Sequence, residues 1–510
     1  MPDFARQLAG SQPDVVALRD DDQALSWADV DDLLERVAAR VLETDLGPAH
    51  RIAVFAENAA ETALAHLGGL LAGASTVPVN FHLTADETAY ILSDSEARIL
   101  FVGPATAERG LAAADQAGVD IVVGWGPGLP AGVTPWSDWL GEPRSEPAPL
   151  DLRPRPHLLY TSGTTGRPKG TELPPTMFAG GATIAEHLEA LKKGMFQQFG
   201  THLVVGPMYH TGPLGGMRLL AAGIPSVILG RFDAEATLAA IAEHRTESAV
   251  MVPTHFVRLL ALPDEVKAAY DVSSMKLVAH TGASCPVDVK RAMIEWWGPV
   301  FFDAYGASEV GTTCMISSQE WLEHPGSVGR AVPPFEALVV DDNNEELPPN
   351  TEGRLYFRDT TGRGIVYPND ADKTAAAHIA PGVFTLGEIG YLDDEGYVFI
   401  TDRFSDMIVS GGVNIYPAEA EQVLIDHPAV SDVACIGVPH AEMGEELKAL
   451  VIPLDASAPP VPAEVIDWCR ERLSHYKCPR SVDFVDDIGR TTMGKVNKRR
   501  LREPYWADQT

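Results

Sequence analysis

Two hydrophobic periods take turns along most of this chain. Ser26, a side chain suited to an N-cap, precedes WADVDDLLERVAARVL, whose apolar residues recur at helical spacing. RIAVF then reads as a strand, Ala59 to Leu71 as a helix, STVPV as a strand, TADETAYILSD as a helix and RILFVG as a strand. Such βα alternation predicts a mostly parallel sheet with helices on both faces. It resumes later, where HLVVG, SVILG, AVMVP and KLVAH look like buried strands among helical patterns such as AEATLAAIAEH and PVDVKRAMIEWW. Between the two runs, the Pro- and Gly-rich stretch from Gly126 to Pro156 reads as surface connection.

From about Val339 the texture changes to shorter strands and turns. The acidic cluster DDNNEE within it reads as a solvated hairpin rather than a metal site, because its acids look like consecutive turn residues. Beyond Asp402 comes a compact segment: a helix (PAEAEQVLIDH), strands DVACIGV and KALVIP, a second helix (PAEVIDWCRERLSHY) and a basic tail, GKVNKRRLR. No internal repeat is apparent. The expected fold class is α/β. A large N-terminal domain over residues 1–402 has parallel-type sheets flanked by helices plus a smaller β-rich part, and a small α+β domain follows over residues 403–510.

Composition narrows the functions open to such a fold. A chain of 510 residues holds two to four domains, and 45% hydrophobic with 22% charged residues is ordinary for a soluble globular protein. Lys and Arg total 39 against 71 Asp and Glu, a net charge of −32. Such a surface repels nucleic acid and anionic membrane, so an anionic substrate must be held by local donors. Five scattered cysteines without a CxxC argue against a disulfide framework or structural zinc and for a reducing, cytoplasmic location. The N-terminus MPDFARQLAG carries no secretory pattern. The longest uncharged run, Thr62 to Thr84, reads as a buried helix, a turn and a strand, not as a membrane span.

The local donors are concentrated in Leu158 to Gly170, LLYTSGTTGRPKG. A short apolar run leads into Thr161, Ser162, Gly163, Thr164, Thr165, Gly166, Arg167, Pro168, Lys169 and Gly170. Glycines let a backbone turn sharply and present its N–H groups, while the hydroxyls and two cations add donors, a combination suited to a polyphosphate. The spacing matches neither the Walker A pattern nor a GxGxxG fingerprint. Four further stretches carry chemistry. FFDAYGASEVG (301–311) offers an aromatic ring, a hydroxyl and a carboxylate able to hold Mg²⁺. LGEIGYLDD (386–394) and TDRFSDMIVSGGVNIYPAEAE (401–421) add a carboxylate, an Arg and a paired-glycine turn. MGKVNKRR (493–500) places Lys495 after a glycine.

Taken together, these stretches resemble the acyl-adenylate-forming superfamily of acyl-CoA synthetases, peptide-synthetase adenylation domains and beetle luciferases. The resemblance runs over essentially the whole chain, with the motifs in the family's order. It implies a mobile C-terminal lid closing on a site between the domains. On that reading Thr161, Ser162, Gly163, Thr164, Thr165, Gly166 and Lys169 hold the ATP phosphates, and Gly282, Ala283 and Ser284 line the wall shared by nucleotide and acyl group. Around the nucleotide lie Asp303, Ala304, Tyr305, Gly306, Ala307, Ser308 and Ile400, with Tyr305 stacked on adenine and Ser308 at the α-phosphate. Glu309 binds Mg²⁺, Glu388 and Arg403 face the ribose, and Lys495 is the lid lysine of adenylation. His210 in PMYHTGP stands near the acyl tunnel, with a packed core histidine as the even alternative. Gly411 and Gly412 lie on the CoA path and Ser405 at the hinge. Most members have Asp where Glu388 stands and Asp or Lys where Ser405 stands, which puts ribose contacts and the pivot in question.

The implied activity is ATP-dependent acyl-CoA ligation, with ATP, Mg²⁺ and coenzyme A required and a small-molecule carboxylic acid as substrate. Tyr209 to Met217 and Val278 to Cys285 are small and apolar, and no Lys or Arg stands out as partner for a second carboxylate. A hydrophobic monocarboxylate is therefore expected: a fatty acid first, a bile or steroid side-chain acid second, an aryl acid third. Rival readings are an adenylation enzyme loading a carrier protein and, from another class, a non-catalytic nucleotide-binding regulator. Nucleic-acid partners and transmembrane segments are not expected, and a homodimer is left open.

Overall fold

The computed structural model describes residues 5–142, 146–161, 168–174, 177–178, 180–283, 285–341, 343–367, 371–403, 408–489, 496 and 498–507. The βα alternation resolves into two sheets. In the first, strands Ser75–Pro78, Arg51–Phe55, Ile99–Val102, Ile121–Gly124 and Thr134–Pro135 lie in that order and run parallel. In the second, His202–Val204, Ser248–Met251, Leu277–His280 and Phe301–Ala307 are successive parallel neighbours. Their register sets Met251 opposite His280, and His280 opposite Asp303, so three strands end side by side. Antiparallel strands close that sheet: Gly311–Ser317 and Arg330–Ala331 on one edge, Ala24–Ser26 on the other. Both faces of a parallel sheet must be covered, which is why these strands read as unbroken apolar runs.

Local signals set the helix boundaries. Ser26 caps the helix Trp27–Glu43 by a reciprocal box with Asp29, and its buried face is Trp27, Val30, Leu34, Val37 and Val41. The uncharged run from Thr62 lies in the helix Ala60–Leu71, buried on every side, with Gly68 against Val37 and Gly69 against Ile52. Among the described residues no helix is long and apolar enough to cross a membrane. Near DDNNEE, Asp341 accepts backbone hydrogen bonds from Asn343 and Glu345, between antiparallel strands Phe335–Val340 and Gly353–Asp359. That is the expected turn.

Three expectations need correction. The Gly126–Pro156 stretch is not merely surface connection. It contains the short helix Trp136–Leu140, whose Trp136 and Trp139 rings stand 5.9 and 5.2 Å from Phe101. Proline and glycine density concealed two aromatic anchors. The basic tail, read from sequence without an element of its own, contains one. Residues Lys498–Trp506 form a helix docked by Trp506 Nε1 on the Gly437 carbonyl at 3.1 Å and Arg502 on Glu445 at 2.6 Å. Finally, the helix from Pro462 ends at Arg470 instead of reaching Tyr476, because Ser474 and Lys477 turn away to bond Glu87.

The closing segment pairs Val430–His440 with Gly444–Pro453 along an antiparallel ribbon, backed by the helices Pro417–Ile425 and Pro462–Arg470. Its core of Ile408, Leu424, Cys435, Leu447 and Val465 is distinct from those of the large sheets.

Several histidines lie inside the larger part. Burial holds His66, His202 and His255 down to about 3, and His187 and His280 to about 4. An unfolded chain protonates these rings near pH 6.5 while the folded one does not, so more protons bind to the unfolded state below that pH. Their stabilising contribution is complete above pH 6.5 and is lost as pH falls towards the folded values. Urea unfolding at stepped pH should show stability dropping by up to about 1.4 kcal/mol per pH unit per histidine below 6.5. A flat profile between pH 6.5 and 4.5 would contradict this account.

Candidate functional site

The expected phosphate loop rises from a two-stranded hairpin. Leu158–Thr161 pairs antiparallel with Lys169–Glu172, in a register that sets Thr161 opposite Lys169. Leu158 and Leu159 are buried beneath it, and Tyr160 donates to Asp94 at 2.6 Å. Thus the residues that flank the glycine-rich stretch are held together on a packed base. Ser162, Gly163, Thr164, Thr165, Gly166 and Arg167 lie outside the described residues, as do Ser284, Ser405 and Lys495.

The second wall is the strand end at Phe301–Ala307. Beneath it Asp303 is tied to Lys290 at 3.3 Å and faces His280 at 3.6 Å. Its described contacts are therefore inward, which makes it a support for Ala304 and Tyr305. Thr281 donates to the Ala304 carbonyl at 2.7 Å, joining the two neighbouring strand ends. Gly306 has a steric reason to be glycine, since a methyl group there would run into the Gly311 carbonyl across the hairpin. Tyr305 packs 6.1 Å from Phe357, and beyond Ala307 the chain turns through Ser308 and Glu309.

Ser308 Oγ lies 3.4 Å from Thr211 Oγ1, the first residue of the helix Thr211–Met217. Thr211 was not singled out from sequence, although it directly follows His210; its hydroxyl gave no signal without the approach of Ser308. His210 stands at the N-cap of that helix without a capping bond, its ring 4.4 Å from Tyr209. Burial, aided by the charge of His82, lowers it to about 4, so it is a neutral imidazole at pH 7.

The lid segment reaches this wall. A methyl group on Gly282 (φ +88°) would stand 3.7 Å from the Gly412 carbonyl oxygen and 3.6 Å from Val252. Gly411 N–H donates to the Met443 carbonyl at 2.8 Å, and a methyl group on Gly411 would approach Thr254 Oγ1 to 3.6 Å. The paired-glycine turn and the TGAS wall are therefore in near contact. Glu388 is buried, and the register sets it opposite Arg403, while Ile400 pairs with Gly390. Among the described residues no group of three or more His, Cys, Asp or Glu could hold a metal ion. One carboxylate at Glu309 is nevertheless the kind of donor set Mg²⁺ accepts, because that ion keeps water and substrate phosphates as its other ligands.

The model for AMP-binding enzymes matches residues 4–364, and that for their C-terminal domain matches residues 419–495. The chain belongs to the AMP-binding enzymes. It is 31% identical to the indoleacetate–CoA ligase of Aromatoleum aromaticum, over 97% of this chain and 96% of the relative. It is 30% identical to the 3-[(3aS,4S,7aS)-7a-methyl-1,5-dioxo-octahydro-1H-inden-4-yl]propanoyl:CoA ligase of Rhodococcus jostii, over 98% of each. Among solved structures it is similar to the amide bond synthetase McbA of Marinactinospora thermotolerans, with a TM-score of 0.82 and 26% identity over 98% of this chain and 99% of that one. This AMP-binding enzyme is an AMP-forming acid–thiol ligase, and the regulator reading is set aside.

The smaller C-terminal part is held to the rest by a buried ion cluster. Lys477 lies 2.9 Å from Glu87 and 2.8 Å from Glu419, and Ser474 donates to Glu87 at 2.6 Å. Burial alone would lower the Lys477 ammonium, yet the neighbouring Tyr476, Glu419 and Glu87 raise it well above its usual range. A second pair, Arg258 to Glu442 at 2.6 Å, lies at the exposed rim. Replacing Lys477 by Met would leave two carboxylates buried without their cation. The expected cost is about 3–5 kcal/mol, measured as a lower urea midpoint at pH 7.5, against less than about 1 kcal/mol for Arg258→Ala.

Proposed function

We propose that this enzyme joins a hydrophobic carboxylic acid of moderate length to coenzyme A, by way of an acyl-adenylate, with release of AMP and pyrophosphate. The observation that carries the reading is the near contact of Gly412 with Gly282 beside the Thr211–Ser308 pair. It sets a lid turn against the wall where acid and nucleotide would meet. Ring-bearing acids stand ahead of long fatty chains, because relatives at 30–31% identity are named for indoleacetate and for a fused-ring propanoate. The domain boundary falls at residues 402 and 403, with the hinge at Ser405.

A carboxylate is already ionised at pH 7, so its attack on the α-phosphorus calls for positioning and charge neutralisation rather than a base. In this reading Ser308 contacts the α-phosphate, Tyr305 stacks on adenine, and Glu388 with Arg403 holds the ribose. Glu388 keeps the expected negative charge on a longer stem. Thr161, Ser162, Gly163, Thr164, Thr165, Gly166 and Lys169 hold the phosphates. Glu309 binds Mg²⁺, which when bound offsets phosphate charge. Lys495 stabilises the charge that develops as pyrophosphate leaves. Neutral His210 borders the acyl group without adding charge. In the second half-reaction the lid turn of Gly411 and Gly412 borders the pantetheine path. A thiol with pKa about 8.5 is partly thiolate at neutral pH, so no separate base is demanded.

Formation of AMP, dependent on CoA, should be measured across indoleacetate, ferulate, steroid side-chain acids and a fatty-acid series. Activity greatest with ring-bearing acids supports the reading, whereas activity confined to long fatty acids reverses the order. AMP formed only with a carrier protein or an amine would change the acceptor. Lys495→Ala should slow pyrophosphate release by about a hundredfold or more while sparing transfer from presynthesised acyl-adenylate. Equal loss of both half-reactions would remove Lys495 from that role.

A further inference from the structure

One buried cation has no place in the chemistry above. Arg218 follows the helix Thr211–Met217 and is 5% exposed. Its Nη2 donates to the Met177 carbonyl at 3.0 Å, and its guanidinium lies 6.0 Å from the Phe178 ring. Nε and Nη1 are buried with no hydrogen-bond partner. No carboxylate among the described residues pairs with it, and burial lowers it to about 10. Two imidazoles feel its charge, His157 and His187, and each has a buried Nε2 with no partner. His187 is anchored by Nδ1 at the Gly180 carbonyl, 2.9 Å away, and is stacked 4.3 Å from Phe178. An isolated buried guanidinium with unmade hydrogen bonds is costly, and three such groups together are unusual in a core.

Their place on the helix says what they face. Thr211, Gly215 and Arg218 follow at i, i+4 and i+7, on one side of the helix. Thr211 and Gly215 on that side are only half-buried, as are Gly212 and Pro213 further round the helix, whereas Leu214, Gly216 and Met217 are buried. A methyl group on Gly215 would meet nothing nearer than Arg218 Nη2 at 3.7 Å, so the space at Gly215 beside Nη2 is unfilled, while Nε and Nη1 are enclosed. The upper end of this face is the Thr211–Ser308 contact. At 1.5 Å per residue, Arg218 lies roughly 10 Å further along the helix.

We propose that Arg218, with His157 and His187, forms the floor of the acyl channel and receives an acceptor oxygen at the far end of the acid, a second carboxylate or a ketone in its place. The inference rests on the acid-ligase reading and deepens it. It sets a candidate cation beside the expectation that no Lys or Arg stands out as partner for a second carboxylate. That residue escaped notice because only folding removes every acidic partner from its surroundings. A carboxylate would take the orphaned Nη1 together with the second hydrogen of Nη2 in a forked pair, leaving Nε to a single acceptor. A ketone would take one N–H.

Suberate, 7-oxooctanoate and octanoate share a chain length and differ only at that end. In wild-type enzyme, kcat/KM should rank suberate and 7-oxooctanoate above octanoate, and their order tells a carboxylate floor from a ketone floor. Arg218→Met should lower the suberate-to-octanoate ratio by roughly thirtyfold, chiefly through KM, with Arg218→Lys in between. Were Arg218 merely structural, Arg218→Met would lower the melting temperature and leave the ratio unmoved; on the present inference removal of an unpaired buried charge leaves it unchanged or raised. Calorimetric binding of suberate to wild type, Arg218→Met and Gly215→Leu reads the site without turnover. Binding lost in both variants supports the floor even if no acid is ligated, which would count against the ligase reading alone. A ratio that shifts by less than about threefold, or suberate binding that is absent from wild type or equal in all three proteins, overturns the inference.

Discussion

The wall of the site depends on one ion pair set beneath it. Lys290 is 1% exposed, lies 3.3 Å from Asp303 and stands 4.9 Å from the Trp321 ring. Burial lowers its ammonium and the carboxylate of Asp303 works against that fall, so the pair is mutually dependent. Asp303 sits where the strand turns from core to ligand surface, directly before Ala304 and Tyr305. A largely buried carboxylate released from its cation would be left with an uncompensated charge. Asp303 is thereby held inward at the strand that leads on to Tyr305, Ser308 and Glu309.

A similar economy appears at the junction with the lid. Lys477 is shared by Glu87 from the helix Ala85–Ser95 and Glu419 from the helix Pro417–Ile425. The same Glu87 closes the capping box of its own helix through Thr84. One carboxylate thus both starts a helix and receives the lid. Electrostatic contacts of this kind are directional, and a change in the orientation of the C-terminal part would have to break both contacts to Glu87, from Lys477 and from Ser474, while the Lys477–Glu419 pair within that part would stay intact. The buried cluster and the Gly282–Gly412 approach consequently belong to one arrangement of the two parts.

Charge is distributed against the overall balance. With 71 acidic residues to 39 basic ones, the protein binds anions only where it has arranged donors locally. The hydroxyl-rich stretch with Arg167 and Lys169 is the place proposed for phosphates, and Arg218 is the place proposed for a second acceptor group. Elsewhere the interior cations, Lys290 and Lys477, are already matched by carboxylates. Arg218 differs from them in having none, and that contrast marks it as a residue waiting for a ligand rather than for the fold.

The sequence by itself determined the features that depend on neighbours along the chain. Apolar runs specified the parallel strands, Ser26 specified a helix start, and TSGTTGRPKG with YGASE carried the family resemblance. Gly306 was legible as part of a motif, though its reason, the Gly311 carbonyl across the hairpin, was not. The tertiary structure alone decided what depends on distant partners. Trp136 and Trp139 are anchors because Phe101 lies beneath them, and Lys498–Trp506 is a docked helix because Gly437 and Glu445 receive it. Thr211 matters because Ser308 approaches it. Asp303 faces inward because Lys290, on another element, is buried beside it. The isolation of Arg218 is the extreme case, since the absence of a partner is a property of a whole surrounding and never of a local pattern.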